Sequence, residues 1–98
     1  MNGKNYYVYI LAKERNGTFY TGFTENLVKR AWEHKNEIAD GFTKKYNVKT
    51  LVYYEIFDNY EVALGREKQL KKWRRSSKMK LIEAMNPKWD DLYEKICQ

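Results

Sequence analysis

Two short segments rich in aromatic and β-branched residues, separated by a polar turn, constrain this chain most strongly. Residues 6–11 read YYVYIL, residues 18–22 read TFYTG, and AKERNG lies between them. Because Asn16 and Gly17 tolerate positive φ, the pattern predicts a β-hairpin with a longer loop. The segment TLVYYEIF, residues 50–57, predicts a third strand.

Helical spacing of apolar residues accounts for most of the remaining chain. Helices are predicted over residues 25–36 with Thr24 as the N-cap, over 60–73, over 77–85 before Asn86-Pro87, and in a short last segment. The buried arc expected on the first helix is Leu27, Val28, Ala31 and Trp32, and the short last helix is expected to carry Trp89, Leu92, Tyr93 and Ile96.

The order β-β-α-β-α-α-α predicts a small α/β sandwich, in which helices flank a three-stranded antiparallel sheet. A chain of 98 residues with 43% hydrophobic content predicts one domain, residues 1–98, with a modest core. The only cysteine is Cys97, which excludes an intrachain disulfide and a cysteine-based zinc site. No apolar run reaches the length of a signal peptide or membrane span, so we expect a soluble, cytoplasmic protein without a membrane partner.

The charge is unevenly distributed. The net charge is +6, and KKWRRSSKMK, residues 71–80, contains six basic residues and no acidic one. The predicted nucleic-acid-binding residues are Lys71, Lys72, Arg74, Arg75, Lys78 and Lys80, because such a run suits a polyanion. The alternative is a solvated helix face. Trp73 could stack on a base, but its spacing from Leu70 and Ala63 favours the core.

Strand alternation brings two phenols together. Tyr9 and Tyr20 fall on the same face of the predicted hairpin, while Tyr6 falls on the opposite one. Gly22 shares the face of Tyr20 and leaves room for a bulky neighbour to approach the backbone. Cross-strand packing and chemistry are both compatible with this pair.

Three polar residues on helices stand out. Arg30 and His34 are four residues apart, so they share one helix face at the rim of the apolar arc. For His34, the alternative is a surface residue hydrogen-bonded to the next turn. Glu67 occupies a position in the stripe of Tyr60, Ala63 and Leu70 where an apolar side chain is expected. A buried carboxylate requires a partner, which could be Lys71, Arg30 or a metal ion.

Together these residues resemble the GIY-YIG nuclease family. Tyr7-Val8-Tyr9 stands where the family has its first tripeptide, and Tyr20-Thr21-Gly22 stands where it has the second. Arg30 matches the helix arginine, His34 the histidine one turn later in many members, and Glu67 the metal-binding glutamate. The stretches AxxREKQxKxW, residues 63–73, and LIExxNPxWxDL, residues 81–92, resemble the small stand-alone bacterial members.

The resemblance implies a metal-dependent DNA endonuclease that hydrolyses phosphodiester bonds, with DNA repair or recombination as its setting. Glu67 would anchor one Mg²⁺ or Mn²⁺ ion and Arg30 would bind the phosphate. Tyr9 and Tyr20 would activate and position the water, either one as the base, with His34 as a proton acceptor. The alternatives are a nucleic-acid-binding module of the same fold with little or no cleavage activity, and a structural or protein-interaction domain.

Overall fold

Three strands and five helices follow one another along the residues described by the computed structural model, 4–38 and 41–98. The elements are β1 (Tyr6–Ala12), β2 (Phe19–Thr24), α1 (Leu27–Lys35), α2 (Phe42–Lys45), β3 (Thr50–Phe57), α3 (Tyr60–Lys72), α4 (Arg75–Met85) and α5 (Tyr93–Ile96). Among these residues, no helix has both the length and the apolar character needed to cross a membrane.

Strand β1 lies at the centre of the sheet, in the order β2-β1-β3, and both of its pairings are antiparallel. Tyr9 pairs with Gly22 on β2 and with Tyr54 on β3. The register against β3 shifts between Ile10 and Leu11, where the ladder is irregular. The predicted three-stranded antiparallel sheet is confirmed, although β2 continues beyond Gly22 to Thr24.

The two faces of the sheet are covered by different helices because side chains alternate along β1. The face that carries Tyr9 and Leu11 packs against α1, and the face that carries Val8 and Ile10 packs against α3 and α4. The helix residues that complete these clusters are Leu27, Ala31, Ala63, Leu70 and Ile82. The predicted flanking of the sheet by helices is therefore confirmed.

Helix α1 differs from its prediction at its start and in its buried face. The Asn26 side chain is the N-cap and accepts a hydrogen bond from the Lys29 N–H, so Thr24 is not the cap. Val28 and Trp32 are exposed. The buried stripe is Leu27, Ala31 and His34. This nine-residue helix packs on the sheet along one narrow stripe. Val28 and Trp32 lie outside that stripe, although their hydrophobicity predicted a wider buried arc.

Other differences are local. Helix α2 was not predicted, because four residues are too few to show a helical period. Helix α4 begins at Arg75 rather than near residue 77. Trp89 lies before α5 in a turn, with φ of 58°, and not in the last helix. Tyr60, expected in a buried stripe, is exposed at the start of α3.

Candidate active site

The Tyr9 ring crosses the backbone of the neighbouring strand at Gly22. A Cβ atom added to Gly22 would lie less than 3.0 Å from the Tyr9 hydroxyl and from the ring carbon that bears it. It would also lie 2.9 Å from Cε2 of Tyr20. The absence of a side chain at Gly22 therefore gives the phenol its position, as the sequence predicted.

A hydrogen-bonded chain of three side chains starts at this phenol. The Tyr9 hydroxyl lies 3.1 Å from Nε2 of His34, and Nδ1 of His34 lies 2.8 Å from Oγ1 of Thr43. All three residues are buried, with His34 only 3% exposed. The rim position predicted for His34 and the alternative of a surface residue were therefore both wrong: both of its ring nitrogens have partners inside the protein.

The protonation states of Tyr9 and His34 follow from their surroundings. Burial, together with the nearby Tyr20, raises the pKa of Tyr9 well above its usual value; Arg30 opposes the increase and Glu67 adds to it. Burial and the Arg30 charge lower the pKa of His34 to about 4, although Glu33 opposes this change. At neutral pH the pair is a protonated phenol beside an uncharged imidazole.

Tyr20 completes an aromatic wall around the site. Its ring centroid lies 6.3 Å from that of Tyr9 and 5.7 Å from that of His34. On its outer side it stacks on Phe42 of α2 at 6.0 Å. The two tyrosines predicted to lie side by side are therefore brought together, with the imidazole against both rings.

Arg30 lies in the middle of α1, one turn before His34. Its Nη1 donates a hydrogen bond of 3.1 Å to Oε1 of Glu33, one turn further along the helix. Its charge is close enough to Tyr9 and His34 to change the pKa of each. The side chain is 38% exposed, which agrees with the rim position predicted from the sequence.

Glu67 approaches from α3, which lies on the opposite face of the sheet from α1. Its side chain is only 13% exposed, and Lys71 Nζ lies 3.0 Å from its Oε2. The partner of this carboxylate is therefore Lys71, one of the alternatives considered. The Glu67 charge also makes a small contribution to the raised pKa of Tyr9.

The available ligands suit one type of metal ion. Within residues 4–38 and 41–98, no three or more His, Cys, Asp or Glu side chains converge into a ready-made metal site. A zinc site with three or four protein ligands does not fit this arrangement. Glu67 alone fits Mg²⁺ or Mn²⁺, because such ions are commonly held by one or two carboxylates, water and substrate phosphate.

The six predicted nucleic-acid-binding residues lie in different environments along the end of α3 and the start of α4. Lys71 pairs with Glu67, and the Arg75 guanidinium lies 4.0 Å from the ring centroid of Phe19. Lys78 is half-buried, and burial lowers its pKa. Those exposed to solvent are Lys71, Lys72, Arg74, Arg75 and Lys80.

Trp73, between these basic residues, belongs to the core rather than to a base-stacking surface. It is partly buried and packs against the cluster that contains Ala63 and Leu70, as the helical spacing predicted. The Arg66 guanidinium lies 5.1 Å from the centroid of its ring. Arg66 also donates two hydrogen bonds to the Glu55 carboxylate, at 2.8 and 2.9 Å.

Two residues of the site, Glu33 and Thr43, were not predicted from the sequence. Glu33 could have been, because it follows Arg30 by three residues on one helix face. Thr43 could not, because it lies on the short α2 and contacts His34 only through the tertiary fold.

The fold and this cluster together define a GIY-YIG nuclease domain. The family model for the GIY-YIG catalytic domain matches residues 5–81, so the chain belongs to the GIY-YIG family, which is a family of nucleases. Within that family it is one of the small UPF0213 proteins.

It is 40% identical over 89 residues to a UPF0213 protein of Clostridium perfringens, covering 91% of this chain and 94% of the relative. It is 39% identical over 77 residues to one of Staphylococcus saprophyticus, covering 79% and 93%. The solution NMR structure of a UPF0213 protein from Bacillus halodurans matches with a TM-score of 0.56 and 27% identity, over 92% of this chain and 95% of that one.

Proposed function

We propose that this protein is a divalent-metal-dependent DNA endonuclease that hydrolyses phosphodiester bonds, with DNA repair or recombination as its setting. One observation carries the proposal. The Tyr9 hydroxyl is buried against Gly22, hydrogen-bonded to an uncharged histidine, and within electrostatic reach of Arg30 and Glu67. Hydrolysis of a phosphate ester needs a group that activates water, positive charge near the phosphoryl oxygens and a ligand for a metal ion, and these residues can supply all three.

Tyr9 acts as the general base. Because it is a neutral phenol, it can take a proton from water only while it gives up its own. Nε2 of His34, 3.1 Å away, accepts that proton, so the water becomes a hydroxide-like nucleophile and the imidazole becomes charged. A bound phosphate diester favours the charged imidazole, because an opposite charge nearby raises the pKa of histidine.

Arg30 binds the phosphoryl group. Its guanidinium is half-exposed at the rim and oriented by Glu33, so one edge is held by the protein while the other can face a ligand. Two parallel N–H donors match two phosphate oxygens, and these bonds strengthen as negative charge builds in the transition state. Tyr20, packed against Tyr9 and His34, restricts where the water can lie.

Glu67 holds the metal ion. When bound, a Mg²⁺ or Mn²⁺ ion supplies positive charge that polarises the phosphoryl oxygens and stabilises the leaving alkoxide. The Lys71 ammonium that now neutralises Glu67 lies on a side chain that is 52% exposed, so it can turn towards solvent. The exposed basic residues at the end of α3 and on α4 contact the DNA backbone.

The test compares three single hydroxyl deletions. Supercoiled, linear, single-stranded and branched DNA are incubated with Tyr9→Phe, Tyr20→Phe and Tyr6→Phe, each with Mg²⁺, Mn²⁺ or chelator. Tyr9→Phe should lose about 10²–10⁴-fold in rate, as expected for a general base, with DNA affinity unchanged. Tyr6 packs on the opposite face and should tolerate the change. Equal losses at all three positions would indicate damage to the sheet and contradict the proposal.

Glu67→Gln tests the metal site in the same assay. The amide keeps the shape of the side chain but loses the charge that holds a hard cation, so cleavage should stop while DNA binding persists. A variant that cuts normally would refute the assignment of Glu67 as the anchor.

A second function has one observation in its favour. The ion pair with Lys71 already neutralises Glu67, as would suit a nucleic-acid-binding module with little cleavage activity. Under that alternative, the wild-type protein binds DNA in every condition but releases no product with either metal ion.

A further inference from the structure

Thr43 contacts the candidate active site from an element that its sequence does not reveal. Its side chain is 3% exposed, and its Oγ1 lies 2.8 Å from Nδ1 of His34. The backbone of Thr43 is held in place as well, because its carbonyl accepts a 2.9 Å hydrogen bond from the N–H of Val48, a fully buried core residue. A buried hydroxyl held in this way is positioned to control the orientation of the imidazole.

The two hydrogen-bond partners of His34, Tyr9 at Nε2 and Thr43 at Nδ1, together bear on which ring nitrogen carries the proton. A neutral imidazole has one donor and one acceptor nitrogen. Tyr9 keeps its phenolic proton because burial raises its pKa, and Nε2 of His34, 3.1 Å from the hydroxyl oxygen, can accept that proton in a hydrogen bond. With Nε2 as the acceptor, Nδ1 would carry the hydrogen and the Thr43 oxygen would accept it.

We infer that Thr43 is a positioning residue, which fixes His34 as the Nδ1–H tautomer and so leaves Nε2 open to accept the Tyr9 proton. This inference rests on the proposed function for its catalytic consequence. The choice of tautomer is a physical property of the folded protein and can be measured without any substrate. In water a histidine side chain prefers the Nε2–H tautomer. The hydrogen bond to Thr43 would reverse this preference in the folded protein.

The experiment uses the fact that His34 is the only histidine in the chain. In ¹⁵N-labelled protein at neutral pH, its two ring nitrogens give one protonated and one unprotonated resonance, and couplings to the ring hydrogens assign each. The wild type should show a protonated Nδ1. Thr43→Val, which keeps the shape but removes the hydroxyl, should shift the population towards protonated Nε2, and Thr43→Ser should restore the wild-type spectrum. Thr43→Ala replaces the valine variant if that one does not fold.

Thr21→Val is a matched control. Like Thr43, Thr21 is a buried threonine, but it lies on β2 and its Oγ1 has no hydrogen-bond partner among the described residues. Removing this hydroxyl should leave the His34 resonances unchanged. A wild-type spectrum with protonated Nε2, or a Thr43→Val spectrum identical to wild type, would overturn the inference.

Activity gives a separate readout. Thr43→Val should lower kcat by about 10–100-fold with little change in KM, as for other groups that orient a functional histidine, and Thr43→Ser should recover it. If the wild type cleaves no DNA, the proposed function fails while the spectra still decide the tautomer. If the wild type cleaves and Thr43→Val matches it in rate, the positioning role is refuted.

Discussion

Substitution of Gly22 by alanine tests the central packing feature of the site. The added methyl group would lie within 3.0 Å of two Tyr9 atoms and 2.9 Å from Tyr20, distances that real Cβ atoms essentially do not show. Tyr9 is 1% exposed and cannot turn into solvent without leaving the core. Either the ring or the β2 backbone must therefore shift.

The expected cost follows from two opposing effects. Overpacking of a buried site destabilises by about 1–3 kcal/mol. Gly22 does not have the positive φ that excludes alanine, so the stiffer unfolded chain returns about 0.4–1 kcal/mol. The net loss lies between about 0 and 2.6 kcal/mol, and each kcal/mol lowers the Tm of a domain of this size by about 4–8 °C.

Gly65→Ala is the matched control. Gly65 is exposed in α3, and a Cβ added there would meet nothing within 4 Å. Because glycine is unfavourable inside a helix, this variant should gain about 0.5–1 kcal/mol. Thermal and urea unfolding of the two variants should therefore move in opposite directions.

A double mutant identifies the clashing group. In a Tyr9→Ala background, Gly22→Ala should lose most of its cost, because the ring that the methyl group would meet is absent. The His34 resonances of Gly22→Ala should also change as the hydrogen bond from Tyr9 is disturbed. If Gly22→Ala is as stable as Gly65→Ala, the Tyr9 ring does not lie over Gly22 and the geometry of the site is wrong.

Three further predictions concern pH, capping and salt. The pKa of His34 is about 4 in the folded protein against 6.5 unfolded, so stability is full above pH 6.5 and decreases by up to about 3 kcal/mol as the pH falls towards 4. Urea titrations should show this slope in the wild type and a flatter one in His34→Gln, and equal slopes would contradict a buried neutral histidine. Asn26→Ala should cost about 1 kcal/mol in urea unfolding and Thr24→Ala less, because Asn26 caps α1; the reverse order would restore Thr24 as the cap. Lys72→Glu with Lys80→Glu should weaken DNA binding regardless of sequence and flatten its salt dependence, and an unchanged slope in fluorescence anisotropy would place the DNA elsewhere.

Much of the fold could be predicted because its elements are encoded locally. Alternation in residues 6–11 and 50–57 defined the strands, and the two tyrosines on one face followed from the same period of two. The start of α1 was misplaced because Thr24 and Asn26 are both good capping residues, and only the tertiary path of the chain selects between them.

For the candidate active site too, some features could be predicted from the sequence and others depended on the tertiary structure. The sequence by itself determined the kinds of group present: two phenols, an arginine and a histidine on one helix, and a carboxylate in an apolar stripe. The tertiary structure decided their partners, namely that His34 is buried between Tyr9 and Thr43 and that Glu67 pairs with Lys71. Spacing along a strand or helix fixes which side chains share a face, whereas burial and contacts between elements distant in the chain depend on how those faces are packed together.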